Sequence, residues 1–244
     1  MKLTLLATAL VFFSSILNPD NQFETITFVN PDGVKISADL YLASASSDFI
    51  ILLHQDRSSR GEYREIAKQL LIMGYNCLAV DLRSGESSND VKNLTMAEAL
   101  KKGKTTRLLD SKSDIETAIS YVFQNYDNKP ILLGSKFSAS LAMMVGKDNK
   151  NVKAVVAFSP GEYFKSEKVN FVESVKGLDK PTFIAGSASE TSSIEVYSEY
   201  VLNDNKMLFI PNDEEGAKGS QALLLEVPSQ NKYWAALEEF LKSL

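Results

Sequence analysis

The stretch Pro130-Ile131-Leu132-Leu133-Gly134-Ser135-Lys136-Phe137-Ser138-Ala139-Ser140-Leu141-Ala142 decides the fold. Ile131 to Leu133 is an unbroken apolar run, the pattern of a strand buried on both faces. Gly134 interrupts it. Small residues (Ser138, Ala139, Ser140, Ala142) then open what the pattern predicts as a helix from Phe137 to about Lys147. Small side chains at a strand-to-helix joint let two backbones approach closely. The residue at the tip of such a bend, here Lys136, is displayed at the carboxyl end of the strand.

The same alternation extends in both directions. Phe23 to Asn30 and Lys35 to Leu42 alternate apolar and polar residues around the turn Pro31-Asp32-Gly33, which reads as an N-terminal β-hairpin at a sheet edge. Buried strands are predicted at Phe49–Leu53, Tyr75–Leu82 and Val152–Phe158, and further strands at Pro181–Ala185 and Lys206–Ile210. Helices are predicted between them: Glu62 to Met73, ended by Gly74; Ser111 to Phe123; Ser192 to Leu202; and Asn231 to Leu244. A short helix is expected at Leu94–Lys101 within the polar stretch from Arg83 to Ser111. Repeated strand-helix units give an α/β fold with a mostly parallel sheet of about eight strands and helices on both faces. In such sheets, sites form beyond the carboxyl ends of the strands. That singles out the loops beginning at His54, Arg83, Ser135, Ser159, Gly186 and Pro211.

Composition narrows the function classes. The 244 residues suit one domain, and 44% hydrophobic content supplies a large core. The net charge of -5 shows no basic excess, so nucleic acid is not an expected partner. One cysteine, Cys77, permits no internal disulfide, and one histidine, His54, leaves no His/Cys cluster for a metal. No cofactor is implied. Met1-Lys2, the apolar run Leu3–Leu17 and the polar exit Asn18–Asn21 resemble a signal peptide, so residues 1–20 are expected to be removed and 21–244 to form the domain. A run of fifteen residues falls short of a membrane span, so no membrane association is expected after cleavage. Export without a disulfide suggests a bacterial periplasm or the exterior.

The element order resembles the α/β-hydrolase fold, a three-layer sandwich, over nearly all of residues 21–244. Leu53-His54-Gln55 after a buried strand, with Arg60-Gly61-Glu62-Tyr63 opening a helix, looks like the oxyanion loop of dienelactone-hydrolase-like proteins. Ala79-Val80-Asp81-Leu82-Arg83-Ser84-Gly85 looks like the D-x-R-x-x-G segment of the same group. Residue by residue, the resemblance puts the nucleophile of G-x-S-x-G at Lys136, the acid at Glu190 beside Ser189, and the histidine at Lys218 in Gly216-Ala217-Lys218-Gly219-Ser220-Gln221. It implies oxyanion donors on the backbone of Gln55 and Phe137. Two of three catalytic positions are therefore lysine.

Acyl transfer requires a nucleophile, a base within reach and oxyanion donors. His54, on the oxyanion side, is expected to order its loop by bonding backbone, and Ser135 and Ser138 to serve packing. The expectation is a degenerate-triad protein without serine-hydrolase chemistry, binding a small anionic or ester-like molecule. The alternative is a carboxylic ester hydrolase with a non-standard nucleophile. Lys136 and Lys218 are expected to flank Glu190 in a charge network. Two other readings stay open: a neutral Lys136 amine forming a Schiff base, and a pair of cations holding an anion at a helix N-terminus. Asp81 and Arg83 are expected to pair, Glu62 to join Arg57 and Arg64 in a solvated or loop-fixing charge set, and Tyr63, Tyr75 and Tyr163 to pack in the core.

Overall fold

The computed structural model describes residues 23–212 and 215–244; the expected signal segment lies outside them. An eight-stranded sheet forms the centre of the molecule. Strands β1 (Glu24–Val29) and β2 (Lys35–Tyr41) make the expected antiparallel hairpin, turned at Gly33, where φ is 87°. Then come β3 (Phe49–Leu53), β4 (Asn76–Val80), β5 (Ile131–Ser135), β6 (Ala154–Phe158), β7 (Thr182–Ala185) and β8 (Lys206–Phe209). The spatial order is β1-β2-β4-β3-β5-β6-β7-β8, and every pair after β2–β4 is parallel.

Continuous apolar runs work here because alternate side chains serve opposite faces. In β3, Phe49, Ile51 and Leu53 join one core cluster, and Ile50 and Leu52 join the other. The first cluster is covered by helices α3 (Ser111–Tyr126), α4 (Phe137–Asp148), α5 (Phe171–Val175) and α6 (Thr191–Glu199). The second is covered by α1 (Arg64–Ile72) and α7 (Gln230–Lys242). Helix α2 (Leu94–Lys101) forms where expected and leans on β2.

Three local differences from the sequence reading matter for the site. The helix expected from Glu62 starts earlier, as a 3-10 turn over Arg60–Tyr63. A two-residue-per-strand ribbon, Ser87–Ser88 with Val91–Lys92, crosses the polar stretch. Asp81 and Arg83, expected to pair, point to different partners. Arg60 reaches Asp81 through Nη1 at 2.6 Å and Asp39 through Nε at 2.9 Å. Arg83 reaches Asp114 at 2.6 Å and Asp32 at 2.7 Å. Both residues lie beyond the end of β4 at Val80, so the strand's period of two no longer holds their side chains on one face.

Candidate functional site

Register sets the site. Leu53 lies beside Gly134, so the loop after β3 and the bend after β5 meet at one edge of the sheet. At the bend, Lys136 has φ 56° and ψ -117°. A non-glycine residue there carries strain on the order of 1–3 kcal/mol and persists only where its surroundings fix it. They do. Lys136 N–H donates to Phe158 O at 2.8 Å, and its carbonyl accepts from Ser140 N–H at 3.2 Å. Ser138 Oγ accepts from Ser135 N–H at 2.9 Å and donates to Leu53 O at 2.6 Å. Ser138, as expected, is structural. Gly134 is compulsory, because a Cβ there would sit 2.4 Å from Ser138 O and 2.6 Å from Ala139 Cα.

The strained geometry is therefore retained while the displayed side chain is an ammonium. Glycine would adopt these angles freely. Lys136→Gly should accordingly stabilise the fold by about 1 kcal/mol in urea unfolding. A loss of stability would show that contacts of the lysine side chain outweigh the strain.

Lys136 is half-buried and Lys218 exposed, and among the described residues neither makes an ion pair. The expected charge network with Glu190 is thus absent. Glu190 Oε2 is instead taken by hydroxyl and amide donors: Ser159 Oγ at 2.8 Å, Ser187 N–H at 3.0 Å and Ser187 Oγ at 3.0 Å. Short hydroxyls reach the carboxylate from adjoining strand ends without the ordering cost of a long lysine chain. Burial first, then the Glu190 charge, push the Tyr163 phenol up to about 12, so Tyr163 stands neutral beside this carboxylate.

The loop that should carry a histidine is bound into the bend. Gly219 N–H donates to Ser159 Oγ at 2.8 Å, and Ser220 N–H donates to Ser135 Oγ at 2.9 Å. Gly219 has φ 66°, and a Cβ there would lie 2.5 Å from Ser135 Oγ and 3.2 Å from Lys136 Cγ. The backbone of this loop thus packs directly against the elbow.

Glu62 completes the closure. It is 7% exposed, which favours the loop-fixing role over the solvated one, and Arg57 pairs with Glu86 rather than with Glu62. Glu62 Oε2 accepts the Gln55 N–H at 3.0 Å, and Oε1 accepts the Ser220 hydroxyl at 2.5 Å. One of the two expected oxyanion donors is thus already bonded to a carboxylate of the same chain. The other, Phe137, begins α4, where N–H groups lack intrahelical acceptors. His54 is fully buried: Nε2 accepts Leu82 N–H at 2.8 Å, so Nδ1 bears the proton and donates to Gln55 O at 2.7 Å. Its ring orders the loop, as expected, and is committed to backbone at both nitrogens. Tyr63 Oη donates to Leu53 O from the core.

Sequence reasoning missed Glu62, Ser159 and Ser220 as site residues. Ser159 stood at a flagged loop start, and its φ of 55° marks a second constrained bend. Glu62 and Ser220 are 158 residues apart, and no local pattern joins them.

This architecture defines the class: the chain has the α/β-hydrolase fold. Solved structures that share it include the esterase Pf2001 of Pyrococcus furiosus, with TM-score 0.68 and 19% identity over 92% of this chain and 91% of that one. The dienelactone hydrolase of Anabaena variabilis matches with TM-score 0.68 and 16% identity, over 91% and 98% of the two chains. The α/β hydrolase GrgF of a Penicillium species gives 0.68 and 14%, over 91% and 98%. Within the fold, the chain is thus similar in architecture to esterases and dienelactone hydrolases. No family model matches the sequence, and comparison with curated proteins finds no match.

Proposed function

We propose that this is an exported, non-hydrolytic protein on the α/β-hydrolase scaffold, which binds a small anionic or ester-like ligand near Lys136. One observation carries the reading. The elbow keeps its strained angles for Lys136, while the neighbouring loop is bonded to Ser135, Ser159 and Glu62. Acyl transfer at this bend lacks an attacking hydroxyl at the tip, an imidazole to accept its proton, and one free oxyanion donor. Ligand binding remains chemically reasonable. The Lys136 ammonium has no anionic partner among the described residues and sits at the N-terminus of a 12-residue helix, where the dipole favours negative charge.

The alternative, an ester hydrolase with an unusual nucleophile, would need another activated hydroxyl. Three site hydroxyls have a carboxylate in contact: Ser220 on Glu62 at 2.5 Å, and Ser159 and Ser187 on Glu190 at 2.8 and 3.0 Å. All three are buried, so no substrate reaches them without loop opening.

The purified protein should not hydrolyse p-nitrophenyl acetate or butyrate above the buffer rate, and a fluorophosphonate probe should label no serine. Labelling at Ser220 or any other serine would overturn the non-hydrolytic reading. Calorimetry with acetate and phosphate should show binding that Lys136→Ala removes. Equal heats for the parent and the variant would remove the ligand from this site. Cell fractionation should find the protein outside the cytoplasm.

A further inference from the structure

A second site lies away from the elbow. A groove of about 670 Å³ runs between α1 and the segment joining the Lys218–Ser220 loop to α7. Its volume falls within the usual range for small-molecule sites, roughly 300–1,000 Å³. Ile72 and Leu225, 80% and 86% exposed, are the most exposed large apolar residues among the described ones. Both line this one groove, Ile72 from the end of α1 and Leu225 from the segment before α7, together with Leu224 and Trp234. Single exposed apolar residues are ordinary, whereas the two most exposed sharing one concavity with an indole form a patch.

The groove is polar at its other end. Arg64 opens α1 and Ile72 ends it, so the eight-residue separation places them about 12 Å apart along the helix. The Arg64 guanidinium makes no ion pair among the described residues. Its Nη1 donates to Asn89 O at 3.3 Å, and its Nε is buried without a partner. The other charges in the groove are Lys68 and Glu65, paired with each other at 2.9 Å, and Glu226 at the exposed rim. The uncompensated cation is therefore at one end and the apolar walls at the other. A saturated chain of about ten carbons spans a comparable length.

We propose that this groove binds a medium-chain carboxylate amphiphile, with the carboxylate on Arg64 and the tail along Ile72, Leu225 and Trp234. The guanidinium fork suits a carboxylate, and swinging outward would give its Nε an acceptor. The indole is already fixed in the wall, with Nε1 donating to Leu223 O at 3.0 Å. The inference does not depend on what happens at the elbow.

The chain has one tryptophan, so its emission reports this groove alone. Decanoate, titrated below its micelle concentration, should give a saturable blue shift of Trp234 emission. Decanol should need at least about ten times the concentration, and Arg64→Met should bring decanoate down to the level of decanol. Leu225→Glu, at a solvent-exposed position that cannot disturb the core, should abolish both responses. The proposal is overturned by any of three results: no saturable shift with decanoate, equal affinity for decanoate and decanol in the parent, or a shift that follows protein concentration without ligand. The last would assign the groove to a second copy of the chain.

Discussion

Asp81→Ala should lower the unfolding free energy by about 4 kcal/mol. Asp81 is fully buried and accepts three donors: Arg60 N–H at 2.8 Å, Arg60 Nη1 at 2.6 Å and Leu94 N–H at 2.8 Å. Removing it orphans two backbone amides, that of Arg60 buried, and leaves Arg60, 8% exposed, with Asp39 as its one carboxylate. Losing one partner of a buried pair costs about 3–5 kcal/mol, because the remaining charge stays desolvated. The Arg57–Glu86 pair provides the contrast. Both its side chains are more than half exposed, so Glu86→Gln should cost under about 1 kcal/mol. Urea unfolding of the two variants checks the difference. Equal, small losses would mean that Arg60 re-pairs or reaches water. Asp81→Asn, which keeps an acceptor for the Arg60 amide, should lose less than Asp81→Ala. The effect also reaches the site, because Arg60 begins the turn that carries Glu62, and a loosened turn frees the Gln55 amide.

The layered architecture was legible because buried parallel strands advertise themselves. Phe49–Leu53 and Ala154–Phe158 are unbroken apolar runs, and Gly33 and Gly74 mark turns with positive φ. The elbow was legible because its constraints are local: Gly134, Ser138 and Ala139 lie within five residues of Lys136. The charge pairings were not. Asp81 looked matched to Arg83 by proximity in sequence, yet its partner lies 21 residues away and that of Arg83 lies 31 away. Which carboxylate meets which cation follows from sheet register and from the direction of each strand end, neither of which a short window contains. The closure by Glu62 and Ser220 failed for the same reason, and the ribbon at Ser87–Lys92 because two-residue strands of polar residues carry no periodicity.

Lys136→Ser combined with Lys218→His should produce ester hydrolysis on the order of 10³-fold above either single variant. The nucleophile and its base act as one unit worth roughly 10⁶ in k for hydrolases of this logic, so neither replacement alone should register. The bend angles of residue 136 are set by Phe158 O, Ser138 Oγ and Ser140 N–H, none of which involves the lysine side chain. A serine there inherits the displayed position. The gain falls short of the full unit because Gln55 N–H is held by Glu62, and one missing oxyanion donor costs about 10²–10³. Adding Glu62→Ala should restore about 10² of that in protein whose circular dichroism remains parental. Hydrolysis of p-nitrophenyl acetate and fluorophosphonate labelling read both steps. Activity in Lys136→Ser alone would reveal a base other than residue 218. A double variant no faster than the singles would place the silencing in the backbone of Gly219 and Ser220, which is bonded to the elbow whichever side chains flank it.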